Sequence, residues 1–263
     1  MDIFKRALRR PFLLTMPTSA RIFGALKISG LHFLASLGVA ALVAIFVFGV
    51  WYPFPYRELS GGRDLFWLVV SVDVICGPLL TLVLFNPQKP KRELLFDLSC
   101  VGVVQFLALA YGLFTVWVAR PLYLVHEVDR FKVITASDID VGELKNLPED
   151  IHPKLFSGPN VVGIRDPRNA EERSKILFES LQGGRDFGER PEFYEKYEGE
   201  VQKKSMLRAR KLEEFLKEEE IVKQFGSHDI KQLYYLPVVA RQDWIAVLDG
   251  NGGIVGFLKG DGF

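Results

Sequence analysis

The residues with the clearest chemical potential in this sequence are polar groups stranded in apolar surroundings. Asp73 lies near the middle of the run LFWLVVSVDVICGPLLTLVLF, residues 65–85, and Gly77-Pro78 follows within one helical turn. Asp97 and Gln105 lie in a second such run, LLFDLSCVGVVQFLALAYGLFTVWVA, residues 94–119. A carboxylate at the centre of a bilayer costs several kcal/mol, so it normally faces protein or water. Proline deletes an intrahelical hydrogen bond and glycine admits close backbone approach, so a helix carrying Gly77-Pro78 is expected to kink there. Two readings of Asp73 follow. Either the carboxylate and the small-residue notch receive another helix, or Asp73 pairs inside the bundle with Ser71, Gln105 or a backbone group. Asp97 lies about one turn inside its run, within reach of Lys91 or Arg92 as a snorkelling ion pair. Gln105 is placed to hydrogen-bond between helices, a contact typically worth about 1 kcal/mol or less.

Catalytic chemistry has no comparable footing. His126, His152 and His228 stand in separate local contexts without metal-ligand spacing, and His32 reads as an interfacial residue near the start of its apolar run. There is no G-x-S-x-G, P-loop or H-E-x-x-H pattern. Asp249 and Asp261 sit among glycines, where turn chemistry explains them better than calcium, and Glu218, Glu219 and Glu220 read as one solvated helix face. The two cysteines, Cys76 and Cys100, fall in apolar runs and are expected to be small buried hydrophobes. A disulfide scaffold and a cysteine-ligated zinc site are excluded. No enzyme, metal or cofactor is expected. A net charge of +1 over 263 residues argues against nucleic acid as a partner.

The elements that must position these groups are three membrane helices. The run 28–51 carries no charge, and at about 1.5 Å per residue it spans the roughly 30 Å hydrocarbon core. It is too long for a signal-peptide core and reads as an uncleaved anchor. Runs 65–85 and 94–119 are each long enough to span, giving a transmembrane region over 28–119. Lys5, Arg6, Arg9, Arg10, Arg21 and Lys27 precede the first span, and Lys89, Lys91 and Arg92 crowd the second loop. In the first loop Arg57 and Arg63 are offset by Glu58 and Asp64. The positive-inside bias then puts the segment 1–27 and the second loop in the cytoplasm, and everything from Arg120 onward outside. Trp51, Tyr52, Phe54, Tyr56, Trp67 and Trp117 cluster at the outer interface, where amphipathic rings prefer to lie. Residues 1–16 mix basic and bulky apolar types and read either as an inner-surface segment on anionic lipid or as a solvated tail. The spans neither repeat nor include a second broken helix, so a transporter is not indicated.

Residues 120–263 read as an outer α+β domain. A strand is expected over 121–134, a short helix over 136–144 capped by Ser137, a strand over 160–165 and a helix over 169–181. A glycine-rich link follows, then a long helix over 200–225, and strands over 235–240, 244–248 and 254–258. Asp249 to Gly253 marks a hairpin turn between the last two strands.

The stretch VDVICGPLLTLVLFNPQKPKRELLFDL, continued by QFLALAYGLFTVWVARPLYLVHEVDRF, resembles the TfpX/TfpZ family of type IV pilin accessory proteins. The link GRDFGERPEFYEKYE and the closing VLDGNGGIVGFLKGDG support the resemblance more loosely. It rests on Asp73, Gly77, Pro78, Asn86-Pro87, Lys89 to Arg92, Asp97, Gln105, Arg120-Pro121, Asp129 and Arg130. The resemblance implies a bacterial inner-membrane accessory or chaperone for a major or minor type IV pilin, without enzymatic activity. Asp73, Gly77, Pro78, Asp97, Gln105, Arg120, Asp129 and Arg130 are then the candidate partner-binding residues, with membrane lipid as the other partner. On this reading the bundle holds the client helix and the outer domain touches its head. The alternative is a membrane-anchored sensor whose outer domain binds a small ligand, because 247–260 resembles a PAS- or Cache-like hairpin. Its expected cytoplasmic part, about two dozen residues and a short loop, is small for an output module.

Overall fold

The computed structural model describes residues 19–140, 142–182, 184–226 and 230–263. Most of the basic N-terminal segment, Lys5 to Arg10 included, and His228 lie outside the described residues. Among the described residues three helices are long and apolar enough to cross a membrane: Arg21–Trp51, Gly62–Leu84 and Lys91–Val118. They are α1 (Ser19–Phe46, continued by a π-helical turn Val47–Trp51), α3 (Gly62–Leu84) and α4 (Lys91–Val118), with a one-turn helix α2 (Tyr56–Leu59) in the first loop. Helices are the expected solution here, because hydrocarbon offers the backbone no hydrogen-bond partners. The first span starts earlier than its uncharged run, taking in Arg21 and Lys27. At 31 residues it is about 46 Å long, more than the hydrocarbon core requires. Pro78 lies inside α3 and does not end it.

The fold divides into two compact units. One holds α1 up to Ala41 with Val69–Tyr111; the other holds Leu42–Leu68 with Gly112–Phe263. The packing therefore does not divide the chain at Arg120. The end of α1, the first loop and the end of α4 belong with the C-terminal domain.

That domain is built on one mixed sheet of order β4-β3-β1-β2-β6-β7-β8. Its strands are β1 (Pro121–His126), β2 (Phe131–Thr135), β3 (Asn160–Ile164), β4 (Tyr194–Lys196), β5 (Arg210–Lys211), β6 (Tyr234–Val239), β7 (Trp244–Leu248) and β8 (Ile254–Lys259). β1 runs antiparallel to β2 and parallel to β3, and β2 runs parallel to β6. β2 pairs with β6 at Val238 and Val239, and β5 pairs with it at Tyr234 and Tyr235. Pro237, with no N–H to give, falls between these two contacts. Side chains alternate across the sheet as its pleat demands. Leu124, Leu236, Ala246 and Leu248 enter the core of one face, whereas Tyr123, Val125, Tyr235, Ile245 and Val247 enter cores on the other.

The first loop completes one of these cores. Tyr56 and Leu59 pack among Leu124, Phe131, Leu236 and Trp244, and Leu59 is fully buried. The Gln242 N–H donates to the Leu59 carbonyl at 3.1 Å, and the Tyr52 hydroxyl donates to the Val116 carbonyl at 2.9 Å. Phe54 meets Trp244 edge-on and Tyr56 meets Phe257 edge-on. Gly61 turns the chain back into α3 at φ +73°, a conformation that favours glycine, with the Arg241 side chain lying against it.

Three local expectations are corrected. The expected strand 121–134 is a hairpin: Glu127 N–H donates to the Arg130 carbonyl, and the chain reverses there. The expected helix 136–144 gives way to turns and a single 3-10 turn, Glu143–Asn146. Asp138 instead accepts from the Thr135 N–H and hydroxyl, and Asp140 accepts from the Gly142 N–H; such local bonds compete with a helix. The expected long helix 200–225 is two short ones, α6 (Glu200–Met206) and α7 (Glu218–Phe225). Between them Arg210 and Lys211 pair with β6, and the Leu212 N–H donates to the Leu233 carbonyl as Leu212 becomes fully buried. Tertiary pairing outweighs helix propensity there. The helix α5 (Ala170–Leu181) forms as expected, with Asn169 accepting from the Glu172 N–H, and the glycine-rich link contributes the edge strand β4.

Candidate functional site

Within the membrane unit the polar residues satisfy one another across the helices. The Gln105 amide donates to the Asp73 main-chain carbonyl at 3.1 Å. A Cβ at Gly77 would overlap that same amide, so the glycine notch is filled by Gln105. The Ser29 hydroxyl donates to the Pro78 carbonyl at 2.8 Å, which ties α1 to α3 at the proline. His32 Nδ1 and Thr81 Oγ1 are 2.6 Å apart, and Thr81 is buried. His32 therefore makes an inter-helix contact. Asp73 Oδ1 is buried with no hydrogen-bond partner among the described residues. Gln105 reaches the backbone of Asp73 and not its carboxyl group.

Asp97 stands apart from this group. Its partner is Lys89 at 2.5 Å, in place of the Lys91 or Arg92 expected, and the pair borders a shallow cleft of about 610 Å³ with Arg92, Glu93, Leu95, Phe96 and Ser99. Lys89 precedes α4 by two residues, so its chain folds back over the first turn, whereas Lys91 and Arg92 are themselves in that turn. Cys76 and Cys100 are exposed on their helices and not buried, which places them on the outward faces. Ile75, Leu79 and Leu80 share the outward side of α3 and are each about half exposed.

In the C-terminal unit, Arg120 is buried beneath aromatic rings. Its guanidinium lies 4.6 Å from the Trp117 ring centre and 6.0 Å from that of Trp51. Burial pulls its pKa below the usual arginine value, opposed by the Tyr52 phenol. Asp129 and Arg130 pair with each other at 2.8 Å on the β1–β2 turn, and Arg130 also lies over Phe263. The six residues of β1, about 20 Å of strand, separate that turn from Arg120. The eight candidate residues thus fall in four places: Asp73, Gly77, Pro78 and Gln105 together, Asp97 on its own, Arg120 before β1, and Asp129 with Arg130 on the turn after it.

A cleft of about 220 Å³ beside the same turn was not expected from sequence. His126 and Glu127 line it together with Arg165, Lys204, Leu207 and Arg208. His126 is 4% exposed, stacks against Phe131 and Tyr197, and leaves Nε2 unpartnered among the described residues. Burial lowers its pKa to about 4, against a smaller opposing pull from Asp129. Burial raises the Glu127 carboxyl, with Asp186 adding to the effect, while the Gly188 N–H donates to Oε1 at 3.2 Å. Arg165 is held by Glu172 and Lys204 by Asp166. The signal in the sequence was the pair His126-Glu127 at the end of an apolar strand, and its meaning depends on a turn that no glycine or proline marks. No group of three or more potential metal ligands occurs among the described residues.

Comparison with known proteins bears on the whole chain. A family model described as "Fimbrial assembly protein FimB" matches residues 20–61, which cover most of α1 and the first loop. "Fimbrial assembly protein, serogroup I" of Dichelobacter nodosus is 36% identical over 252 residues, covering 92% of this chain and 98% of that one. The chain belongs to the fimbrial assembly protein family. The serogroup E1 protein of the same organism is 34% identical over the same shares, and the protein of serogroups C1 and C2 is 47% identical over 124 residues, 47% of this chain and 95% of that one. No solved structure matches. The family segment 20–61 is the part that carries Ser29 and His32 into the bundle and Tyr56 and Leu59 into the C-terminal core.

Two outcomes test this geometry. Gly77→Ala is expected to destabilise the bundle by about 1–3 kcal/mol through overlap with Gln105, and Gln105→Ala is expected to recover part of that loss. Unfolding of the four variants of this cycle in bicelles measures it; strict additivity would contradict the contact. The second concerns His126, whose folded pKa lies below its unfolded value of 6.5. Its burial in the neutral form favours the fold fully above that value and loses the benefit as pH falls from 6.5 toward about 4. Glu127 shifts the opposite way, so the comparison is with His126→Gln, which should flatten the His126 part of the acid loss of stability in a thermal-melt series across this range.

Proposed function

We propose that this chain is an inner-membrane accessory protein for type IV pilin, of the TfpX/TfpZ kind, that supports pilin stability or assembly without catalysis. The observation carrying the proposal is full-length similarity to proteins named for fimbrial assembly, over 98% of the serogroup I and E1 sequences. On this reading the loop containing Lys89, Lys91 and Arg92 faces the cytoplasm and the C-terminal domain faces the periplasm. The docking of the first loop in the C-terminal core fits that topology, since both then lie on one side of the membrane.

The geometry favours a particular form of client contact. The Gly77 notch is occupied from within by Gln105, so a pilin helix would lie on the outward apolar faces of the spans. These faces are extensive: 28% of the apolar window of α3 is buried inside the protein, and 11% and 17% of those of α1 and α4. Without a hydrophobic drive between helices in lipid, such contact depends on close packing, which Ile75, Cys76 and Leu79 of α3 and Gly102 of α4 can offer. The His126–Arg208 cleft and the Asp129–Arg130 turn are the polar features of the periplasmic domain available to a pilin head. The sensor alternative has no support from the relatives named above, all of which carry fimbrial assembly names.

Deletion of the gene is expected to remove surface pili, with restoration by the intact chain; unchanged piliation with the cognate pilin present would contradict the proposal. Photo-crosslinkers at Ile75 and Leu79 are expected to capture pilin. Capture from the C-terminal domain alone would keep the accessory role and reject the membrane contact.

A further inference from the structure

The segment Lys154-Leu155-Phe156 presents two adjacent large apolar side chains to the outside of the C-terminal domain. Phe156 is 73% exposed and Leu155 49% exposed. Exposed apolar side chains are informative where they continue a larger apolar surface, and here the surroundings supply one. The Trp51 indole N–H donates to the Leu155 carbonyl at 3.1 Å. The Phe156 ring is 6.1 Å from that of Phe46, and Phe46 in turn is 4.9 Å from Trp51. A Cβ at Gly158 would lie 3.0 Å from the Pro53 ring and 3.9 Å from the Val50 carbonyl, so the segment follows the end of α1 closely. Phe46 and Trp51 belong to the span Arg21–Trp51, and Leu42 and Ile45 on it are 70% and 71% exposed. The apolar surface of Phe156 is therefore continuous with the lipid-facing surface of a membrane helix. Trp51 and Trp117, with the Arg120 guanidinium over both rings, mark the level of the headgroups.

We propose that Leu155 and Phe156 are inserted in the outer leaflet of the membrane, as a wedge at the headgroup–acyl boundary, with lipid as the occupant of this surface. The depth matches that of interfacial elements, about 5–10 Å into the boundary. Lys154, exposed at the start of the wedge, sends its ammonium group back to the lipid phosphates while its stem lies along the acyl region. The wedge fixes the C-terminal domain to the bilayer at a point remote in sequence from all three spans. It rests on the reading of α1 as a membrane span.

The test uses the full chain in lipid nanodiscs, with Cys76 and Cys100 replaced by alanine and an environment-sensitive nitrobenzoxadiazole label on a single new cysteine. Labels at Phe156→Cys and Leu155→Cys are expected to emit as in an apolar medium and to lose about two-fold or more of their fluorescence in lipid brominated near the headgroup end of its chains, as interfacial depth requires. The label at Ile45→Cys should be quenched by deeper bromines, and the label at Glu219→Cys, on exposed α7, should stay water-like and unquenched. Quenching at Ile45 without quenching at 155 or 156 overturns the wedge and leaves the span intact. An apolar but unquenched signal at 156 assigns the surface to protein and also overturns it. Loss of quenching at Ile45 as well overturns both readings.

Discussion

The burial of the first loop in the C-terminal core is the constraint on which the rest of this structure depends. Leu59 is fully buried among residues of β1, β2, β6 and β7, and its carbonyl takes the Gln242 N–H from the turn before β7. The C-terminal end of α1, the N-terminal end of α3 and the C-terminal end of α4 fall in the same compact unit as this core. Leu→Ala changes at such sites cost about 2–5 kcal/mol, a large part of the stability of a domain this size. The loop is therefore a component of the domain's fold.

A second constraint comes from the solvent. In hydrocarbon every polar group needs a protein partner, and here most have one: Gln105 with the Asp73 carbonyl, Ser29 with the Pro78 carbonyl, His32 with Thr81. The Asp73 carboxylate is the exception, with one buried oxygen left open. These inward bonds use up the notch around Gly77 and leave the outward faces almost wholly apolar. In the membrane unit the charged groups gather near Lys89 and Asp97, whereas His126 to Arg130 and the cations across the second cleft belong to the other unit.

Much of this was legible in the sequence, and the failures have physical causes. The three spans are legible because hydrocarbon permits few structures and the apolar runs are long. The inward role of Gln105 and the closing hairpin at Asp249 were legible for similar reasons: a lone amide in an apolar helix needs a partner, and Asp-Gly-Asn-Gly-Gly has few other uses. The helix expected over 200–225 failed because Arg210, Lys211 and Leu212 gain more from pairing with β6 and the Leu233 carbonyl than from helix propensity, and only the tertiary fold reveals that. The hairpin within 121–134 was hidden because its turn, Glu127 to Arg130, contains neither glycine nor proline to mark it. The role of the first loop was hidden most completely. Its aromatic residues look the same whether they face headgroups or a protein core, and Tyr56 and Leu59 do the latter.

The central claim, that the first loop and the C-terminal domain are one cooperative unit, is tested most directly by hydrogen exchange on the full chain in nanodiscs. The amides to follow are Leu59 and Ser60 in the loop and Gln242, whose N–H is bound to Leu59, against the central strand residues Ile245 to Val247. If the account holds, these amides open together, with protection in the loop approaching that of β7 and the same sensitivity to denaturant. Loop amides that exchange as rapidly as an unstructured connector, while β7 stays protected, would contradict it.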